Sequence, residues 1–113
     1  MSPSSIKFLQ FSASIRRINK RYKLVDQKEE FVLEAVLAAH AEKVDFSVLD
    51  LILLNEIASQ ATLHSVMNNL IAKKLIKTET SKEDRRRKYV TPTKLAFDWL
   101  QDCSDLLCST AKK

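Results

Sequence analysis

The chain has 113 residues, 45% hydrophobic and 29% charged, with a formal net charge of +5. That length suits one domain around one core, and the balance of apolar to charged residues excludes a disordered chain. Glycine is absent, where average usage would supply roughly eight, so Walker loops, dinucleotide-binding Gly-x-Gly turns and Gly-x-Ser-x-Gly elbows are excluded, because each needs glycine's backbone freedom.

A first helix is predicted from Ser2-Pro3 or Ser4, since serine caps a helix and proline suits its first position. Phe8, Phe11, Ile15, Ile18 and Tyr22 recur along it at spacings of three and four, an apolar seam with Arg16, Arg17, Lys20 and Arg21 beside it. A second helix is predicted near Asp26 to Glu42. It is apolar on several sides (Phe31, Val32, Leu33, Ala35 to Ala39), which predicts burial at the centre of the domain with His40 hydrogen-bonded at its end. Val44-Asp45-Phe46 reads as a short extended piece. Ser47 with Asp50 three residues on reads as a capping box opening a third helix, whose apolar set runs from Val48 to Ile57.

The fourth helix, residues 59–74, is predicted from the Ser59 cap and the stripe Leu63, Val66, Met67, Leu70 and Ile71. Its other face carries Gln60, Ala61, His64, Ser65 and Asn68, uncharged and rich in hydrogen-bonding groups, where a solvated face would usually hold Glu and Lys. Leu75 to Glu79 and Arg87 to Thr91 read as two strands joined by a polar turn, and Pro92 as the start of a last helix bearing Leu95, Trp99, Leu106 and Leu107. The turn and second strand pack Lys82, Arg85, Arg86, Arg87 and Lys88 into seven positions. Such a run is often only a solvated face. On a hairpin directly after a helix pair it suits DNA, with a helix in the major groove and arginine at the minor groove, where the potential is most negative. Asp84 is expected to hold the Arg86 side chain extended.

These residues resemble the MarR family of winged helix-turn-helix regulators over roughly residues 26–93. "LIAKKLIKTETSKEDRRRKYVTPT" is similar to that family's end of recognition helix, strand, wing and return strand. Asp84-Arg85-Arg86 matches its Asp-x-Arg wing motif, which gives Arg86 the minor-groove contact. "SQATLHSVMNNL" is similar to the recognition helix and turns Gln60, Ala61, Thr62, His64 and Ser65 toward DNA. The chain departs from the family in having Lys74 where glycine is usual, a joint one residue longer around Asn55 to Ala58, and one terminal helix where two are frequent.

The expected fold is mainly α with a small β-hairpin wing (α+β), a single winged helix-turn-helix domain over 1–113. Residues 26–92 form its DNA-binding core, and 1–23 and 93–113 its dimerisation helices. The expected function is a sequence-specific double-stranded DNA-binding transcriptional regulator, a homodimeric repressor, with the helix 59–74 in the major groove and the wing 78–91 at the minor groove and backbone. Gln60, His64, Ser65 and Asn68 would read base edges; Thr62, Lys73, Lys82, Arg85, Arg87 and Lys88 would meet phosphate; Ser59 and Ala61 complete the surface. Phe8, Phe11, Ile15, Ile18 and Tyr22 either lie on their own domain or pair across a two-fold axis with Trp99, Leu106 and Leu107. The pairing is the expectation, because two half-sites need two readers.

The alternative is a winged-helix protein-interaction module without direct DNA binding. Residues 24–56 hold eight acids against Lys28 and Lys43, and could dock a basic partner. No enzyme constellation, metal site or cofactor motif is present in the sequence, and no pattern identifies a small-molecule effector. No apolar run reaches membrane-spanning length. Cys103 and Cys108, without an export pattern ahead of them, suit the reducing cytoplasm and read as apolar filler, an oxidation sensor being the other reading.

Overall fold

The computed structural model describes residues 1–111. In chain order the elements are α1 (Pro3–Arg21), α2 (Gln27–Ala41), α3 (Val48–Ile52), α4 (Gln60–Ala72), β1 (Ile76–Thr80), β2 (Lys88–Pro92) and α5 (Lys94–Ala111). The architecture is mainly α with one antiparallel hairpin, as expected. The last two residues of the expected 93–113 helix lie outside the described residues.

Each helix starts on a side-chain cap. The Ser2 hydroxyl accepts from Ser5 N at 3.2 Å, Asp26 from Glu29 N at 3.0 Å, and Ser59 from Thr62 N at 3.3 Å. Ser47 and Asp50 form the predicted reciprocal box. The last helix corrects the expectation: Pro92 closes β2, paired with Ile76, and Thr93 caps α5 by accepting from Ala96 N at 3.3 Å. Proline lacks an N–H and is tolerated at such a strand edge.

The helix ends show how a chain without glycine turns corners. Lys23, Lys43 and Lys74 occupy the left-handed region at φ of 64°, 59° and 63°. Each follows a C-cap, and each is followed by an apolar residue whose N–H reaches five residues back: Leu24 to Asn19 O, Val44 to Ala39 O and Leu75 to Leu70 O, at 2.9 to 3.0 Å. These are Schellman motifs with lysine in the usual glycine position. Lys74 is the position where the resemblance leads one to expect glycine.

The core gathers Val32, Leu33, Val36 and Leu37 of α2, Leu51, the inner stripe of α4, Leu75, Ile76, Val90 and Trp99. α2 is central, touching α4, β2 and α5. It is buried on one side only, however, since Phe31 is 43% exposed and Ala38 is also exposed. His40 is exposed and meets Phe97 edge-on at 5.1 Å in place of the expected hydrogen bond. α3 stops at Ile52, one turn short of the predicted apolar set. α1 packs along α5, and its first two turns stand clear of the body, giving dimensions of 54 × 26 × 22 Å. No helix among the described residues is long and apolar enough to cross a membrane.

Candidate nucleic-acid interface

The spacing of α4 divides it cleanly. Leu63, Val66, Met67 and Leu70 are buried, while Gln60, Ala61, His64, Ser65 and Asn68 are exposed. Asn69 is exposed as well. It lies four residues beyond Ser65, so the outward strip extends one residue further than the sequence reading took it, and the i, i+4 rule was the signal. No acid or strong base interrupts this surface between residues 57 and 72. Ser59 and Thr62 are tied to each other, Ser59 Oγ donating to Thr62 Oγ1 at 3.0 Å.

The wing is anchored on both sides. β1 and β2 pair from Ile76↔Pro92 to Thr80↔Lys88. Val90, buried, donates its N–H to Phe46 O at 2.7 Å, and Ser47 bridges Tyr89, so the extended piece before α3 adds a short third edge. At the tip, Ser81 Oγ accepts from the N–H groups of Glu83 and Asp84, and Ser81 N donates to Arg87 O. Asp84 Oδ1 accepts from Arg86 N at 3.0 Å. This corrects the expected role of Asp84: it folds the backbone under Arg86 and makes no contact with the guanidinium. An Asx turn satisfies the carboxylate locally. Lys82, Arg85, Arg86, Arg87 and Lys88 all remain exposed, and no ion pair engages them among the described residues. Arg86, Arg87 and Lys88 line a groove whose opposite wall includes Asp45 and Asp50, two carboxylates the sequence reading did not place beside the wing.

Lys73, expected at phosphate, is committed elsewhere. Its Nζ donates to Glu29 Oε1, and the two side chains are only 18% and 4% exposed. A buried carboxylate needs a counter-charge, and Lys73 supplies it. The sequence carried no signal for a pairing across 44 positions.

The expected dimer residues divide as well. Phe8 is 67% and Leu107 58% exposed. Ile18 and Trp99 lie in the chain's own core, Trp99 Nε1 donating to Asn19 Oδ1 at 2.8 Å. Tyr22 Oη donates to Asp102 at 2.6 Å, and Leu106 packs against the core. α1 crosses α5 within one chain, which turns the C-terminal half of the seam inward and leaves little of Ile18 or Trp99 to offer a partner. Between them, Phe11, Ile15, Trp99, Leu107, Glu30 and Glu34 line an apolar crevice. Burial, then the Glu30 charge, raises the Glu34 carboxyl above its ordinary range. Burial and the neighbouring carboxylates push the Cys103 thiol up to about 11, which does not suit a thiolate-based sensor.

No family model matches the sequence, and no curated protein matches it. Solved structures do. A DNA complex of MepR from S. aureus superposes with a TM-score of 0.75 at 17% identity, over 96% of this chain and 75% of that one. The fold is that of MarR-type winged-helix proteins. S. aureus MepR bound to ethidium bromide superposes with a TM-score of 0.67 at 16% identity, covering 99% of this chain and 79% of that one. The transcriptional regulator PA4135 is also similar, with a TM-score of 0.59 and 12% identity over 99% and 81% of the two chains.

Proposed function

We propose that the chain is a sequence-specific double-stranded DNA-binding transcriptional regulator of the cytoplasm, acting as a homodimeric repressor. The observation that carries this reading is the pairing of an uncharged, hydrogen-bonding outer face on α4 with a wing of five exposed cations that form no ion pair among the described residues, in a fold shared with a protein solved on DNA. Gln60, His64, Ser65, Asn68 and Asn69 are the base readers, and Arg86 is the minor-groove contact. Ser59, Ala61 and Thr62 line the helix's approach, and Lys82, Arg85, Arg87 and Lys88 hold phosphate. Residues 26–92 bind DNA. Exposed Phe8 and Leu107, with half-buried Phe11 and Ile15 between them, are the dimer contact. Selecting bound duplexes from a random pool tests the reading, and a palindromic product is the expected result. Early elution from heparin with no duplex selected would favour the interaction module, with the acids of residues 24–56 as its docking face.

We infer that a small-molecule effector, if one acts on the chain, binds the crevice of Glu30 and Glu34. Two carboxylates beside half-buried Phe11 suit a flat organic cation, which relieves their mutual repulsion and stacks on that ring. MepR, of the same fold, has been solved with such a cation.

A further inference from the structure

Glu29 is the one buried charged residue among those described, and it sits at a junction. It stands in the first turn of α2, where the helix dipole favours a carboxylate. Its Oε1 accepts from Val25 N at 3.4 Å and from Lys73 Nζ. Lys73 is the C-cap of α4, and the next residue, Lys74, makes the left-handed turn that sends the chain into β1. The pair therefore grips the chain where the recognition helix becomes the wing.

A buried ion pair is a poor source of stability, since an apolar pair of the same volume often does as well or better. What it adds is direction. Within the helix, α4 meets the body through its buried residues Leu63, Val66, Met67 and Leu70, and the hydrophobic effect that drives this packing has no preferred orientation. The bonds from Thr93 to Lys74 O and Leu75 O hold the chain just beyond the helix, not the helix itself. The apolar packing tolerates a small roll or slide of the helix. A lysine–carboxylate bond at the end of α4 does not, and a small roll moves Gln60, His64 and Ser65 off their base edges while leaving the wing's phosphate contacts in place. We propose that Glu29 and Lys73 are a positioning pair, which fixes the roll and register of α4 and so sets sequence discrimination without touching DNA. The proposal rests on the reading that α4 enters the major groove.

The test uses the full chain and a duplex that the wild-type chain selects from a random pool. The double variant Glu29→Met/Lys73→Met keeps net charge and side-chain length and should melt at or above the wild-type temperature. Its affinity for the selected duplex should fall at least tenfold, while its affinity for scrambled duplex and its salt slope stay at wild-type values. Binding to the selected duplex within twofold of wild type would make the pair merely structural and overturn the proposal. So would uniform weakening on both duplexes with a salt slope lower by about one, which is the signature of a phosphate contact at Lys73. A wild-type chain that selects no duplex removes the DNA-binding reading, and the pair's role with it.

Discussion

Asp84 holds the backbone N–H of Arg86 at 3.0 Å and leaves the guanidinium exposed. The carboxylate shapes the wing tip, and the arginine is free for a partner. Arg86→Ala should weaken binding to the selected duplex at least tenfold and relax preference at A/T-rich flanks. Asp84→Ala should do part of this by loosening the turn, worth about 1 kcal/mol locally. Asp84→Asn should behave as wild type, because the amide oxygen accepts the same bond. Gel shifts across these three variants decide the matter: an Asn variant as weak as the Ala variant would mean that the negative charge is what counts.

Lys82 lies on the same tip with no structural bond of its own among those described. Lys82→Ala should weaken all duplexes alike and lower the slope of log affinity against log salt by about one. Titrations at three salt concentrations with selected and scrambled DNA give the answer.

Lys74 occupies the left-handed region at φ 63°. Its Cβ opposes that geometry by about 1–2 kcal/mol, whereas its charge near the helix C-terminus returns only about 0.3–1 kcal/mol. Steric opposition exceeds the dipole term, so Lys74→Gly should stabilise the fold by about 0.5–1 kcal/mol, read from urea midpoints. Lys74→Val, with a branched Cβ, should do the reverse.

Phe8 and Ile18 lie on one helix and should respond in opposite ways. Phe8 is 67% exposed, so on the homodimer proposal Phe8→Glu should shift sedimentation toward the monomer and remove the concentration dependence of the melting temperature, with no loss of core packing. Ile18 is in the core, so Ile18→Ala should destabilise the fold by about 2–5 kcal/mol. Sedimentation and thermal melts on both variants separate the two roles.

Burial lifts the Cys103 thiol from an ordinary 9.0 to about 11. The Asp102 hydrogen bond, then burial, lifts the Tyr22 phenol from 10.0 to about 12. Both shifts favour the neutral form in the folded chain. Their contribution is therefore fully present below pH 9, and it is lost as pH rises through 9 to 11 for Cys103 and 10 to 12 for Tyr22. Chemical stability should fall over that alkaline window. Iodoacetamide at pH 8 should label exposed Cys108 well before Cys103.

Sequence alone was enough for the order of elements, the caps at Ser2, Ser47 and Ser59, the hairpin, and most of the outward strip of α4. Each is a local matter, in which a hydroxyl reaches an N–H three residues on or a period of 3.6 sorts one helix into two faces. Pairings between distant segments were decided only by the tertiary structure. Lys73 looked like one more surface base until α2 brought Glu29 against it. Ile18 and Trp99 looked like interface residues until α1 folded along α5 of the same chain. Asp84 looked like a partner for the arginine side chain until the turn closed and put the backbone N–H of Arg86 nearer. Local rules fix which groups a residue can satisfy nearby, while a buried charge or an apolar face takes whichever partner the packed chain delivers, and sequence spacing holds no record of that.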